Sequence, residues 1–294
     1  MDSLVLNLKD GRKLGYAEYG DRSGVPVLFF HGTPGSRLLF LDDDPACISL
    51  GIRLISLDRP GFGLSDPKPG RTLLDWTDDV REAADLLGLK KFSVIGVSGG
   101  GAYAAACAYR IPERLHSAAL VSSIAPFADG KPPKSMSRGN RIAFFLSRKW
   151  PGVLKANYRA QKKLISKRPE AFKRSLLAEG KRMNEWDRRF LRTDEQLESF
   201  ILHLGEAMRS SVDECANEPA LIAKPWGFQW SDMKGPIDIW HGEIDTMAPA
   251  SEIRKLAPSL ADCKARYVAG AGHFLTDDEV IWRDILSAIR ERVQ

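Results

Sequence analysis

Ser98 has the setting that most directly suggests chemistry. It lies in Phe92-Ser93-Val94-Ile95-Gly96-Val97-Ser98-Gly99-Gly100-Gly101, where an apolar run enters Gly-x-Ser-x-Gly and an alanine-rich stretch follows. That is the sequence form of a nucleophile elbow, a sharp turn between a buried strand and a helix. The glycines suit it because the turn brings backbone atoms so close that a Cβ would clash. The serine at its apex faces the N-terminus of the helix, where free N–H groups can stabilise a developing anion.

A serine hydroxyl at neutral pH needs a base, and the base needs an acid to fix its tautomer and stabilise the imidazolium. The final third of the chain offers both. Ile237-Asp238-Ile239-Trp240 reads as a strand followed by His241-Gly242-Glu243-Ile244-Asp245, and Arg266-Tyr267-Val268 as another followed by Gly270-Ala271-Gly272-His273. The order Ser98, Asp245, His273 is the one expected with this elbow. Of the five histidines, His31 is assigned to holding its own loop, His116 precedes a strand and His203 sits in a helical region. His241 as base would reverse the order and require Asp277 or Asp278 as its acid. Asp245 is preferred to Glu243 on its spacing from the strand end, and Asp238 falls inside the strand.

The elements that must position these residues alternate. Residues 4–9 and 13–18 form a hairpin around Lys9-Asp10-Gly11-Arg12. Val25–Phe30 is a continuous apolar run suited to a strand buried on both faces, and Ile52–Asp58 reads as a further strand. His31-Gly32-Thr33-Pro34-Gly35-Ser36 then makes a tight loop at the sheet edge where ligands bind in open α/β sheets. Upstream of an elbow, this loop is expected to supply the N–H of Thr33 as one oxyanion donor, the N–H of Gly99 being the other. Ser65, in the loop Arg59–Asp66, lacks an elbow. Thr72 with Asp75 reads as a helix N-cap, and Leu73, Trp76, Val80, Ala83, Ala84 and Leu87 recur at helical spacing. Residues 100–110 form a helix that stops near Pro112, and Ala118–Ile124 is the next strand. The alternation implies a mostly parallel sheet with right-handed crossovers.

From about Ala125 to about Pro236 that rhythm stops. Residues 140–150, 152–168, 169–182 and 194–209 read as helices that should project as a cap over the sheet. The expected division is a core of residues 1–125 and 236–294 and a helical cap of residues 126–235. The cap is basic up to Arg192 and acidic after Thr193. Solvated helix faces pairing with each other account for this; attraction of an anionic substrate or acidic membrane surface is the other reading. Pro225-Trp226-Gly227-Phe228-Gln229-Trp230 either walls an acyl pocket or packs cap against core. Thr276 and Glu279 resemble a capping box opening the last helix.

Composition bounds the rest. The 294 residues are 44% hydrophobic and 28% charged, as in globular proteins, and the net charge of +5 makes no case for nucleic acid. No apolar run approaches the roughly 20 residues that span a bilayer. Met1-Asp2-Ser3-Leu4 lacks the marks of a signal peptide. Cys47, Cys107, Cys215 and Cys263 are scattered, without metal-ligand spacing. Free thiols in a reducing cytoplasm are expected.

With these motifs in view, the chain resembles the α/β-hydrolase superfamily over nearly its whole length. The resemblance rests on His31-Gly32-Thr33-Pro34-Gly35, Asp58-Arg59-Pro60-Gly61-Phe62-Gly63-Leu64-Ser65, Gly96-Val97-Ser98-Gly99-Gly100, His241-Gly242-Glu243-Ile244-Asp245 and Gly272-His273. It implies an α/β-hydrolase fold with an eight-stranded, mostly parallel sheet, a cap after the sixth strand, and no cofactor. Serine at 98 argues against the haloalkane dehalogenase and epoxide hydrolase branches, which carry aspartate there. Thr33, where proline iminopeptidases usually have glycine, lowers that branch. Haloperoxidase-like and carbon–carbon hydrolase branches share the serine triad. The expected activity is hydrolysis of a small or medium carboxylic ester by Ser98, His273 and Asp245. Carbon–carbon bond hydrolysis and a ligand-sensing role on the same fold are the alternatives. Oligomeric state is not legible.

Overall fold

The computed structural model describes residues 4–39, 45–127 and 130–293, so Met1, Asp2 and Ser3 of the N-terminal stretch lie outside the described residues. Eight strands make one sheet: β1 (Leu4–Asn7), β2 (Lys13–Gly20), β3 (Val25–Phe30), β4 (Ile52–Leu57), β5 (Phe92–Val97), β6 (Leu115–Val121), β7 (Ile237–Gly242) and β8 (Cys263–Val268). Their spatial order is β1-β2-β4-β3-β5-β6-β7-β8. The first two strands join antiparallel and all other pairings are parallel. The eight strands and their direction match the expectation from sequence.

The chain leaves β3 to pair β4 on one side and returns to pair β5 on the other. That reversal opens a crevice at the C-terminal ends of β3 and β5, the usual place for a ligand in such sheets. The loops carrying Thr33 and Ser98 emerge there. Two apolar layers pack on the faces of the sheet. On one face, α2 (Asp75–Leu86) and α3 (Gly100–Arg110) bury Trp76, Val80 and the alanines of α3. On the other, α1 (Pro45–Ser49) and α11 (Glu279–Glu291) bury Cys47, Ile285, Leu286 and Ile289. Each such large apolar side chain contributes about 1.5–3 kcal/mol when fully withdrawn from water.

Between β6 and β7 the chain is helical: α4 (Arg138–Lys149), α5 (Pro151–Lys167), α6 (Pro169–Gly180), α7 (Glu185–Arg188), α8 (Asp194–Ala207) and α9 (Asp213–Ile222); α10 (Ala250–Leu256) follows β7. The insertion has its own apolar cluster, including Leu154, Tyr158, Phe172, Leu176, Leu197 and Ile201, to which the core loop adds only Phe62. α9 escapes the sequence reading because Pro219 lies inside it. A proline within a helix removes one N–H and crowds the preceding turn. Here the Ser147 hydroxyl of α4 is inserted into the opened ladder, donating to Ala216 O at 2.5 Å and accepting from Ala220 N at 2.9 Å.

Several local expectations change. His116 lies inside β6 and His241 inside β7, where His241 stands opposite Tyr267, because both strands begin or end beyond their most apolar residues. Asp278, not Thr276, caps α11, accepting from Ile281 N at 3.0 Å; Thr276 belongs to a short 3₁₀ turn before it. Thr72 and Asp75 do exchange reciprocal bonds, with Thr72 N donating to Asp75 Oδ2 at 2.6 Å, but the regular helix starts only at Asp75. Trp226 and Trp230 are buried in the core cluster, and Trp226 Nε1 donates to Ile222 O, which is packing between cap and core.

Candidate active site

Ser98 sits at φ 56°, a left-handed conformation that costs a residue with a Cβ roughly 1–3 kcal/mol unless its surroundings impose it. They do. Ser98 N donates to Val121 O at 3.0 Å, and Ser98 O accepts from Gly101 N and Ile124 N, each at 3.1 Å. The approach is tight: a Cβ on Gly96 would strike Gly100 O, and one on Gly100 would strike Phe30 O. Thus the turn between β5 and α3 can close only with glycine at both positions, and it leaves Ser98 half-buried at the crevice.

The loop after β3 lies alongside. A Cβ on Gly32 would lie 3.5 Å from Ser98 Cβ, and one on Gly99 would strike Thr33 Oγ1. Gly32, Thr33, Ser98 and Gly99 therefore meet at one point. His31 is buried beneath them, its Nδ1 donating to Gly32 O at 2.8 Å and its Nε2 accepting from Arg59 N at 3.2 Å. Burial, followed by the charge of Arg59, holds its pKa well below the usual imidazole value, so it stays neutral and braces the loop.

Arg59 ties this loop to the insertion. Its Nη1 donates to His31 O and its Nη2 to Gly32 O at 2.9 Å and to Thr33 Oγ1 at 3.1 Å. Facing it is Glu218 of α9, fully buried. Glu218 accepts from Arg59 Nε (2.8 Å) and Nη2 (2.7 Å), Arg71 Nη2 (3.1 Å), Tyr103 OH (2.7 Å) and Thr33 Oγ1 (2.6 Å). Burial would raise this carboxyl, but Arg59 and Arg71 outweigh it and hold the pKa well below the usual range. Neighbouring Glu214 pairs with Arg71 at 3.0 Å, and Glu206 of α8 pairs with Arg37 at 2.6 Å. The acidic half of the insertion therefore both docks on core arginines and pairs with its own basic helices, as Asp213 does with Lys155 and Glu198 with Lys173, so helix-to-helix pairing accounts for only part of the charge pattern.

His273 follows β8. Its Nδ1 is 2.8 Å from Asp245 Oδ2, so Nδ1 carries the proton and Nε2 keeps a lone pair, a tautomer assigned from the network. Asp245 Oδ1 accepts from Met247 N at 2.8 Å and Ala248 N at 2.9 Å. Burial alone would raise the Asp245 pKa, yet the His273 charge and the histidine bonds hold it low. Burial likewise pulls His273 down, but Asp245 and then Asp187 overcome it and leave its pKa raised.

The peptide around His273 is also held. Asp187 of α7, buried, accepts from His273 N at 2.6 Å and Phe274 N at 3.1 Å, while Asn184 Nδ2 donates to its Oδ2 at 2.7 Å. Ser122 Oγ donates to His273 O at 2.7 Å. Asp187, Glu218, Arg59 and Ser122 were not singled out from sequence. The available signal was that Arg59 follows a strand at the same edge as Ser98; Ser122 was read inside a strand over Ala118–Ile124, whereas β6 ends at Val121.

The rejected candidates are occupied elsewhere. His241 Nε2 donates to Ala248 O at 2.6 Å and stands 3.3 Å from Asp245 Oδ2, beneath the acid. His203 packs against Ser36, its pKa lowered to about 4 by burial and Arg59. Asp238 pairs with Arg266 and Arg292, Glu243 with Arg254, and Ser65 donates to Asp58 O. No disulfide joins any of the four cysteines. Among the described residues, no group of three or more His, Cys, Asp or Glu is arranged to hold a metal ion, and no helix is long and apolar enough to cross a membrane.

The family model described as alpha/beta hydrolase fold matches residues 25–280. A non-heme chloroperoxidase from Streptomyces lividans is 37% identical over 130 residues, 42% of this chain and 45% of that enzyme. The chain thus spans less than half the length of the first curated relatives it matches. A hydrolase from Pseudomonas aeruginosa superposes with a TM-score of 0.71 at 18% identity, covering 98% of each chain. An esterase from Exiguobacterium antarcticum superposes at 0.69 and 17% identity, covering 99% of this chain and 100% of the other. At such identities the superpositions establish the fold.

Proposed function

The chain belongs to the alpha/beta hydrolase fold family, and on that premise we propose that it is a serine hydrolase of small or medium carboxylic esters. The observation that carries the reading is the His273 Nδ1–Asp245 Oδ2 bond at 2.8 Å, which leaves Nε2 as the basic nitrogen. Ser98 Oγ attacks the ester carbonyl while His273 Nε2 takes its proton, and Asp245 stabilises the imidazolium. The N–H groups of Thr33 and Gly99 receive the oxyanion, aided by the helix N-terminus behind Ser98. His273 then protonates the departing alcohol, and by the reverse proton path activates water to hydrolyse the acyl-enzyme. Asp187 and Glu218 are positioning residues, the first for the base and the second for the oxyanion loop. In this reading residues 126–235 act as a lid on a core of residues 1–125 and 236–294. The substrate is a small molecule, and the chemistry uses no cofactor.

The test is labelling with a fluorophosphonate followed by peptide mapping, together with Ser98→Ala on p-nitrophenyl esters. Modification at Ser98 and a loss of turnover on the order of 10⁶-fold are expected. Label on another residue, or full activity of the variant, overturns the mechanism. The chloroperoxidase name of one relative favours a second reading, haloperoxidase-like chemistry with the same triad. Halogenation dependent on peroxide, halide and Ser98 distinguishes it.

A further inference from the structure

The first two helices of the insertion carry a surface that the ester chemistry does not use. From Lys131 to Arg168 the chain has twelve Lys and Arg and no Asp or Glu. Within this stretch four large apolar residues stand in solvent: Ile142 is 47% exposed, Phe145 50%, Trp150 60% and Val153 56%. Phe145 and Trp150 meet edge to face, with ring centroids 5.5 Å apart, so the aromatic pair is ordered without being covered.

The arrangement on α4 is directional. Arg138, Arg141, Ile142, Phe145, Arg148 and Lys149 fall within roughly a third of the helix circumference at 3.6 residues per turn. The opposite side carries Ser147, whose hydroxyl enters α9, and on the flank Phe144 meets Phe127 at 4.8 Å. Among the described residues, none of Arg138, Arg141, Arg148 and Lys149 has a carboxylate partner; Arg148 donates to Gly130 O. Elsewhere in the insertion cations do find acids, as Lys155 does with Asp213 and Lys173 with Glu198.

We propose that this face of α4 and the start of α5 is a docking surface for an anionic lipid bilayer. Exposed Trp and Phe beside aliphatic residues fit the headgroup boundary, and arginine and lysine around them match anionic headgroups. Nucleic acid would match the charge but leave Ile142 and Val153 in water. A second copy meeting this face with its own would set cation against cation. The helix is also tied to the site: Ser137 N donates to Thr246 O at 2.6 Å, and Asn140 Nδ2 to Met247 O at 3.1 Å, on the loop that carries Asp245. A bilayer under α4 therefore lies beside the acid loop, the side from which an apolar ester partitioned into lipid would arrive. The binding itself stands whether or not the substrate is an ester.

The experiment is co-sedimentation of the full chain with phosphatidylcholine vesicles, with and without phosphatidylserine, at low and high salt. Binding is expected only with phosphatidylserine, weakening as salt rises. Arg138→Gln, Arg141→Gln and Lys149→Gln combined should weaken it by about a hundredfold, at about fivefold per charge. Phe145→Ser with Trp150→Ser should release the protein while turnover of a water-soluble p-nitrophenyl ester stays unchanged, which separates this surface from the catalytic reading. Absence of binding to phosphatidylserine vesicles, binding unchanged in both variants, or self-association that the Phe145/Trp150 variant abolishes without any lipid dependence overturns the proposal.

Discussion

Oδ1 of Asp187, on a short helix of the insertion, accepts the main-chain N–H of His273 at 2.6 Å. The contact does two separable things. It fixes the peptide that carries His273, and it brings a second negative charge to an imidazole that already faces Asp245.

The charge has a measurable sign. A base must be neutral to accept the serine proton, so kcat/KM falls as pH drops through the His273 pKa. Because that pKa is raised, the acid limb should lie above the usual value of about 6.5. Asp187→Asn keeps an acceptor for the two N–H groups but removes the charge. Its acid limb should move to lower pH, with a smaller change in the pH-independent rate; a full pH profile of both proteins checks this.

Glu218→Gln should destabilise the fold by about 3–5 kcal/mol at neutral pH, since Arg59 and Arg71 would be left buried without their shared anion. The folded-state pKa of Glu218 is depressed. Its contribution is thus fully present above the unfolded value of about 4.3 and is lost as pH falls towards the folded one. In urea titrations the gap between variant and parent should be constant at neutral pH, begin to narrow only below about pH 4, and shrink steadily as pH falls further.

Gly99→Ala would press a methyl group onto Thr33 Oγ1. The backbone at Gly99 is ordinary helical, so the chain should fold, but Thr33 must yield and carry its N–H with it. A fall in kcat of about 10²–10³-fold with little change in KM is expected, the signature of a lost oxyanion donor. Steady-state kinetics on one soluble ester will show whether the loss falls on kcat.

Ser147→Ala would leave Ala216 O and Ala220 N facing each other across the Pro219 irregularity with no bridging hydroxyl. Orphaned backbone groups of this kind cost about 1–3 kcal/mol. Thermal denaturation should show the loss, and hydrogen exchange should show it concentrated in α9.

The positions of Ser98, Asp245 and His273 were legible in the sequence because each lies within a few residues of a strand end and of a glycine. Period and punctuation alone then place all three at one sheet edge. The central strands were legible from composition: Val25–Phe30 is apolar throughout and Phe92–Val97 is broken only by Ser93 and Gly96, whereas the edge strand β8 carries Lys264 and Arg266. Asp187 and Glu218 were not. In a helical segment crowded with charges, a carboxylate that turns inward has the same sequence neighbours as one that faces water, and only the position of Arg59 or of the His273 peptide tells them apart. α9 was hidden for a local reason, since Pro219 breaks a helix unless a partner such as Ser147 repairs it, and that partner is 72 residues away.

The pairing of Glu218 with Arg59 and Arg71 also limits how the molecule can vary. A chimaera that kept this sheet and received another protein's segment between β6 and β7 would inherit two buried guanidinium groups without their counter-ion, and a loop of residues 31–34 pulled by Arg59 alone. Exchanging the insertion would therefore fail here unless a glutamate arrived in register with both arginines. The two parts of the chain are bound to change together.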